Sequence, residues 1–375
     1  MDPLFQPLVL NNGVSIRNRL VVAPMTHSAS NPDGTLSNQE RAFLGNRATD
    51  MGMFITAATL VAANGKAFHG QPEALDERHL DSLRETARIL QAQGAKAILQ
   101  IHHGGHQALP DLLNGLQPVS ASEHAANGTK AATEGEIHDL IQAFARSTDL
   151  AIRAGFDGVE IHGANGYLIQ QFFSGESNRR TDAWGGSLAG RMKFPLAVVD
   201  AVAAVRERHA RPDFIIGYRF SPEEPGDNGL TMSDTFALLD ELVKKPLQYL
   251  HVSLWDFTKK ARRGADTQLT RMQLLHEHIA GRLPLIGVGN LLSGKQIREA
   301  FETGWAEFLA LGKAVMVNPG IATLLKEGRD AEIVTELDPA QPDHYGIPDV
   351  LWGYCQQGGD WLPPLKGKAW QPVNI

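Results

Sequence analysis

The sequence has a single cysteine, Cys355. An intramolecular disulfide is therefore excluded, and so is any cysteine-held metal or iron–sulfur centre. Nothing in the sequence sets a base beside that thiol, which reads as a structural residue. Long apolar runs are missing too. None approaches the about 18 residues that a membrane helix needs. The start, Met-Asp-Pro-Leu-Phe-Gln-Pro, lacks a basic stretch leading into an apolar one, so no signal peptide is expected. There is no block of like charges. A net charge of -7 over 375 residues argues against a general nucleic-acid binder, which favours a basic face. The one basic cluster, Lys259, Lys260, Arg262 and Arg263, reads as a solvated loop. No Gly/Ser or Pro run divides the chain, and no repeat stands out. The expectation is a soluble cytoplasmic protein without membrane or nucleic-acid partners.

What is present is a regular alternation. Hydrophobic residues make up 43% of the chain, enough for a sizeable core. Apolar, β-rich segments lie near 19–24, 51–57, 95–101, 158–162, 214–220, 249–253, 285–289 and 308–312. Each is followed by a candidate helix, among them 80–93, 134–154, 188–207, 233–243 and 294–303. Strand then helix, eight times over, reads as an α/β fold, a (β/α)8 TIM barrel with extended loops. Ser233 is expected to cap the fifth helix, with Asp234 in its first turn. Gly94 and Gly304 read as helix ends. Residues 1–330 are assigned to the barrel. Residues 331–375, rich in Trp, Pro and Gly and without periodicity, form a C-terminal tail expected to pack on the barrel or on a neighbouring subunit. The stretch 102–128, punctuated by Gly and Pro, is a long excursion after the third strand, on the face where barrel enzymes keep their chemistry.

Strand ends are where such chemistry is expected, and several carry telling residues. The run Gly158-Val-Glu-Ile-His-Gly-Ala-Asn-Gly-Tyr167 delivers His162 to the end of the fourth strand, followed by Asn165 and Tyr167. Donors of this kind can polarise a carbonyl and supply a proton. Without its flanks, the same run would read as a turn held by polar side chains. The first strand ends in Ala23-Pro24-Met25-Thr26, and the second in Thr56-Ala57-Ala58-Thr59, whose small side chains let a flat ligand approach the backbone. Gln100 alternates with apolar neighbours in the third strand and is costly there unless its amide is paired. Either a heteroaromatic ring or neighbouring backbone would pair it. Arg219 emerges from the apolar fifth strand and needs an anion or a carboxylate. Glu160 or Glu223 would make a purely structural pair. The last two strands lead into Gly289-Asn290 and Gly312-Lys313, the loops where barrels commonly hold a phosphate. Glycines allow close backbone approach, and Lys313 supplies a full charge. Neither a dinucleotide fingerprint nor a G-x-x-x-x-G-K-[ST] loop is present.

Together these segments resemble the Old Yellow Enzyme family of FMN-dependent ene-reductases, in its short single-domain branch. The resemblance runs from about Leu4 to Leu325. It rests on Asn18-Arg-Leu-Val-Val-Ala-Pro-Met-Thr26, Gln100, Ala154-Gly-Phe-Asp-Gly-Val-Glu-Ile-His162, Gly163–Tyr167, Ser177-Asn-Arg-Arg-Thr-Asp-Ala-Trp-Gly-Gly186, Gly289-Asn290 and Gly312-Lys313. It implies tightly bound, non-covalent FMN, with NADH or NADPH as hydride donor and an electron-poor alkene as acceptor. On that pattern Pro24, Met25, Thr26, Ala58, Gln100 and Arg219 surround the isoalloxazine ring. Gly289, Asn290, Gly312 and Lys313 hold the phosphate. His162 and Asn165 bind the substrate carbonyl, and Tyr167 donates the proton. Lys313 stands where many relatives have Arg, and His102-His-Gly-Gly-His106 departs from the pattern after the third strand. A homo-oligomer is compatible with all of this.

Two other readings compete. His102, His103, His106 and His162 suggest a metal-dependent hydrolase, although no H-E-x-x-H or H-x-H pair occurs and carboxylates are sparse nearby. A flavin-carrying binding protein without turnover is the other. The leading reading predicts a yellow purified protein whose visible absorbance bleaches under anaerobic NAD(P)H. A colourless protein that cannot be reconstituted with FMN would remove it.

Overall fold

Successive residues of a strand point to opposite faces, so each strand of a barrel feeds one set of side chains inward and one outward. In the computed structural model, which describes residues 2–373, nine strands share one sheet. Eight of them make the barrel: β1 (Leu20–Val22), β2 (Met53–Ile55), β3 (Lys96–His102), β4 (Gly158–Gly163), β5 (Ile215–Phe220), β6 (Tyr249–Val252), β7 (Leu285–Gly287) and β8 (Phe308–Leu311). All neighbours are parallel. The pairing of β8 with β1, and of β2 with both β1 and β3, closes the ring and leaves no edge. Thr59–Leu60 adds a short strand to the upper end of β3. All eight expected segments are strands, and the barrel expectation holds.

The outward set (Leu20, Val22, Leu99, Ile101, Val159, Ile161, Ile216, Tyr218, Leu250, Val252) packs with the helices in one large core. The inward set begins as a separate apolar plug of Val21, Met53, Ile55, Ile98, Ile215, Ile286 and Phe308. Leu10 and Ile16, flanking and within the N-terminal ribbon of Leu8–Val9 and Ser15–Ile16, join that plug. Above the plug the inward positions turn polar. Gln100, Glu160 and Gly217 lie in register across β3, β4 and β5, and Tyr249 of β6 is level with Gly217. Two residues higher, His162, Arg219 and His251 are in register. The barrel thus has an apolar base and a polar mouth.

The helices end where capping chemistry says they should. Glu134–Ala154 starts from a Thr133–Glu136 capping box and stops at Gly155 in the left-handed region (φ 89°). The fifth-helix cap differs from expectation. The helix is Met232–Leu242 and its cap is Thr231, boxed with Asp234. Ser233 lies inside the first turn, where its hydroxyl donates to the Gly264 carbonyl (2.6 Å). Gly94 and Gly304 follow their helices with φ of 87° and 69°.

The segment after residue 330 is built into the same core: Leu337, Tyr345, Leu351, Cys355, Leu362 and Leu365 are all buried there. Burial pushes the Cys355 thiol up to about 12, which leaves it protonated and inert. The basic cluster is less solvated than expected. Arg263 is half-buried and donates to the Gly229 carbonyl (2.7 Å). Arg47, 0% exposed, ties the tail to the barrel. Its guanidinium lies over the Phe43 ring (4.0 Å) and donates to the carbonyls of Phe43 and Tyr345. Arg47→Ala would orphan both carbonyls and leave a cavity. The expected cost is about 3 kcal/mol, read by chemical denaturation, with faster hydrogen exchange in Asp349–Gln357. A loss under about 1 kcal/mol would remove Arg47 as the anchor.

Candidate active site

The C-terminal ends of β1, β5, β6, β7 and β8 open into a cavity of about 220 Å³. Pro24, Met25, Thr26, Asn165, Arg219, Gly289, Asn290, Gly312 and Lys313 all line it. Of the remaining expected site residues, Gln100, His162 and Tyr167 lie in or beside the polar storey of the barrel, outside this lining. Ala58 is buried and outside it too, with its carbonyl taken by Gln71 Nε2 (3.0 Å).

At one end Lys313 Nζ donates to Asn290 Oδ1 (2.8 Å) and to the Asp360 carbonyl (3.0 Å). It also lies over the rings of Trp370 (4.9 Å) and Trp255 (5.6 Å). Burial lowers its pKa to about 8, with Asp360 opposing. Gly289 has φ 142°, and a Cβ there would collide with the Phe257 backbone. Gly312 is different. A Cβ there would meet nothing nearer than Ala23 Cβ at 3.7 Å, so packing alone does not demand glycine. An open backbone beside a lysine suits an anion that approaches closely.

At the other end Arg219 is buried and touches no carboxylate among the described residues. Its Nε has no hydrogen-bond partner among the described residues. Glu223, one of its two expected carboxylates, is taken by Arg271 Nε (2.6 Å) and by the N–H groups of Arg262 and Arg263. Gln100 does not spend its side chain on neighbouring backbone. Its Nε2 donates to Glu160 Oε1 (2.7 Å). The Thr26 hydroxyl has no partner among the described residues. A buried, orphaned guanidinium and a free hydroxyl, with a lysine and an open glycine at the far end, fit a planar ring carrying a phosphate tail.

His162 is buried, and its Nδ1 accepts the Ala164 N–H (3.3 Å). Burial, reinforced by His102, Arg219 and His251, holds it well below the ordinary imidazole value. It is therefore neutral with the proton on Nε2, which has no partner among the described residues. Asn165 adopts φ 59°, which asparagine tolerates. Its Oδ1 accepts from Ser253 Oγ (2.7 Å), so Nδ2 is its free donor. Burial raises the Tyr167 pKa, so the phenol is protonated. The rings of His162 and Tyr167 are 5.3 Å apart, and His102 is 4.4 Å from Tyr167.

The histidines after β3 do not gather as metal ligands. His103 accepts the Gly105 N–H and contacts Asn64, and His102 Nδ1 faces Gln71 (2.9 Å). No group of three potential metal-binding side chains occurs among the described residues. Sequence reasoning missed Ser253, Trp255, Leu351, Trp361 and Leu362, all of which line the cavity. Ser253 and Trp255 directly follow a strand end, a signal that was available. The tail residues gave none.

A parallel barrel with this rim is of the Old Yellow Enzyme type. The chain belongs to the NADH:flavin oxidoreductase / NADH oxidase family, whose model matches residues 3–332. It is 46% identical over 364 residues to the Bacillus subtilis protein named "probable NADH-dependent flavin oxidoreductase YqiG", covering 96% of this chain and 98% of that one. It is 36% identical over 363 residues to NADH:fumarate oxidoreductase of Klebsiella pneumoniae, covering 94% of this chain but 39% of that protein. Among solved structures it resembles morphinone reductase in complex with tetrahydroNAD, with a TM-score of 0.76 and 27% identity over 93% of this chain and 98% of that one. The protein is an NAD(P)H-dependent flavin oxidoreductase and its cofactor is FMN. No helix among the described residues is long and apolar enough to cross a membrane.

With Lys313 at about 8 and assigned to the phosphate, cofactor capture is expected to depend on pH. The phosphate stays a dianion above roughly pH 6. Below about 8 Lys313 is charged before and after binding, so affinity is flat. Above it, binding must take up a proton, and affinity falls roughly tenfold per pH unit. Flavin-fluorescence quenching titrations of the apoprotein should show this break, and Lys313→Arg should abolish it. A wild-type profile flat to pH 9.5 (about 1.5 units past the break) would contradict it.

Proposed function

We propose that the protein reduces the activated C=C bond of α,β-unsaturated carbonyl-type compounds with hydride from NAD(P)H. Bound FMN supplies the hydride relay between donor and acceptor. The observation that carries the reading is the state of three neighbouring groups. His162 and Asn165 each have one polar atom occupied and one N–H donor left over, and Tyr167 beside them keeps its proton.

Negative charge develops on the substrate carbonyl oxygen as hydride reaches the β-carbon. His162 Nε2–H and Asn165 Nδ2–H are the pair that would take that oxygen. Because Ala164 and Ser253 already fix their orientation, little reorganisation is needed as the charge grows. A neutral imidazole serves here as a donor that does not surrender a full proton. Tyr167 then protonates the α-carbon, acting as general acid. A second chamber, lined by His106, Gln107, Gln170 and Glu224, shares Asn165, Ser253, Leu254 and Trp255 with the first and would give room for the rest of the acceptor. The names of two relatives, the acrylate and fumarate oxidoreductases, point to conjugated acceptors. This chain spans only 36% and 39% of those proteins, so their activities extend to it as part of this proposal alone.

Anaerobic stopped-flow separates the two half-reactions. Tyr167→Phe should leave bleaching by NADH within about twofold of wild type and slow alkene-driven recovery of the yellow colour by about 100-fold or more. His162→Ala should slow that recovery by a similar factor. Failure of enones, enals, unsaturated carboxylates and nitroalkenes alike to restore the colour would overturn the proposal.

A further inference from the structure

Glu160 is fully buried at the centre of the barrel mouth, and its carboxylate is saturated by donors. Gln100 Nε2 reaches Oε1 (2.7 Å). Tyr249 Oη (3.0 Å) and His251 Nδ1 (2.9 Å) reach Oε2. The residue between Glu160 and Tyr249 in register is Gly217, and a Cβ there would collide with the Tyr249 ring. Glycine at that position is what lets the phenol cross the neighbouring strand to the carboxylate. The cluster is therefore built to hold Glu160 ionised. Burial opposes ionisation, but hydrogen bonds from His251 and Gln100 and the positive charge of Arg219 outweigh it, and the carboxyl stays below its ordinary value. Burial sets His251 below the imidazole range, against the pull of Glu160 and with the push of Arg219. It is the neutral donor, and Arg219 is the cation of the group.

Two consequences reach the cofactor site. First, a carboxylate only accepts, so the Gln100 amide must point its NH2 at Glu160, and Oε1 is the end left for a ligand. Second, Glu160 is the counter-charge of the orphaned Arg219, which lines the cavity.

We propose that Glu160 is a positioning residue for the flavin. It acts through Gln100, whose amide it turns so that an acceptor oxygen meets the ring, and through Arg219, whose positive field it offsets. It thereby sets the relative affinity for oxidised and reduced FMN. The proposal rests on FMN binding and not on alkene reduction, so failure of every alkene tested would leave it standing.

Glu160→Gln keeps the shape and removes the charge. Arg219 then acts on the cofactor without an offset, and the electron-rich reduced form gains. The expected result is a rise of about tenfold or more in affinity for reduced over oxidised FMN, read as a midpoint potential about 30 mV higher. Dye-equilibrated anaerobic titration measures it, and a purely structural role would not move it. Glu160→Asp restores the charge one methylene further back. It should keep the wild-type ratio within about threefold while weakening both redox forms about tenfold, because the Gln100 amide loses its anchor. A folded, FMN-loaded Glu160→Gln protein whose ratio stays within threefold of wild type would overturn the proposal. If Glu160→Gln does not fold, Glu160→Asp decides: wild-type FMN affinity in that variant would overturn it equally.

Discussion

One buried carboxylate organises the mouth of this barrel. A charge inside an apolar ring of strands is costly, and it is tolerated only where donors surround it and an opposite charge lies close. Glu160 has three donors and a neighbouring guanidinium. The expense is met by residues from four consecutive strands, β3 to β6, held in register by the parallel ladders. Loss of register by one residue would send these side chains into the outer core, so closure of the barrel and pairing of the charge depend on each other.

The storey above shows the reverse design. Its histidines are kept neutral by burial, and three of its polar atoms have no partner among the described residues: His102 Nε2, His251 Nε2 and Arg219 Nε. Buried orphans are uncommon in finished protein cores. Three of the eight such atoms among the described residues lie here, at the polar mouth of the barrel. The lower storey is satisfied internally and serves as foundation, whereas the upper one keeps polar atoms uncommitted at the mouth.

How much of this could be read from the sequence depends on the range of the interaction. Strand positions followed from local apolar runs, and the helix Glu134–Ala154 was legible at both ends because Thr133, Glu136 and Gly155 are local signals. Ser233 reads as a cap from its residue type, but the three-residue spacing to Asp234 that makes the box belongs to Thr231. The loop motifs that gather round the cavity were visible as residue types. Their partners were not. Gln100 finds Glu160 across 60 positions, and Asn165 finds Ser253 across 88. The tail offered no periodicity, so the contributions of Leu351, Trp361 and Leu362 to the cavity wall could only emerge from packing.

That wall joins the two ends of the chain: Ala23 and Pro24 face the same space as Trp361 and Leu362. A ribosome-bound chain that has not yet released its tail lacks this side of the chamber, and Lys313 lacks the Asp360 carbonyl and the Trp370 ring that hold it. During synthesis, then, this chamber is complete only once residues as far as Trp370 have emerged. A ligand seated in that chamber would therefore report on whether this segment has docked.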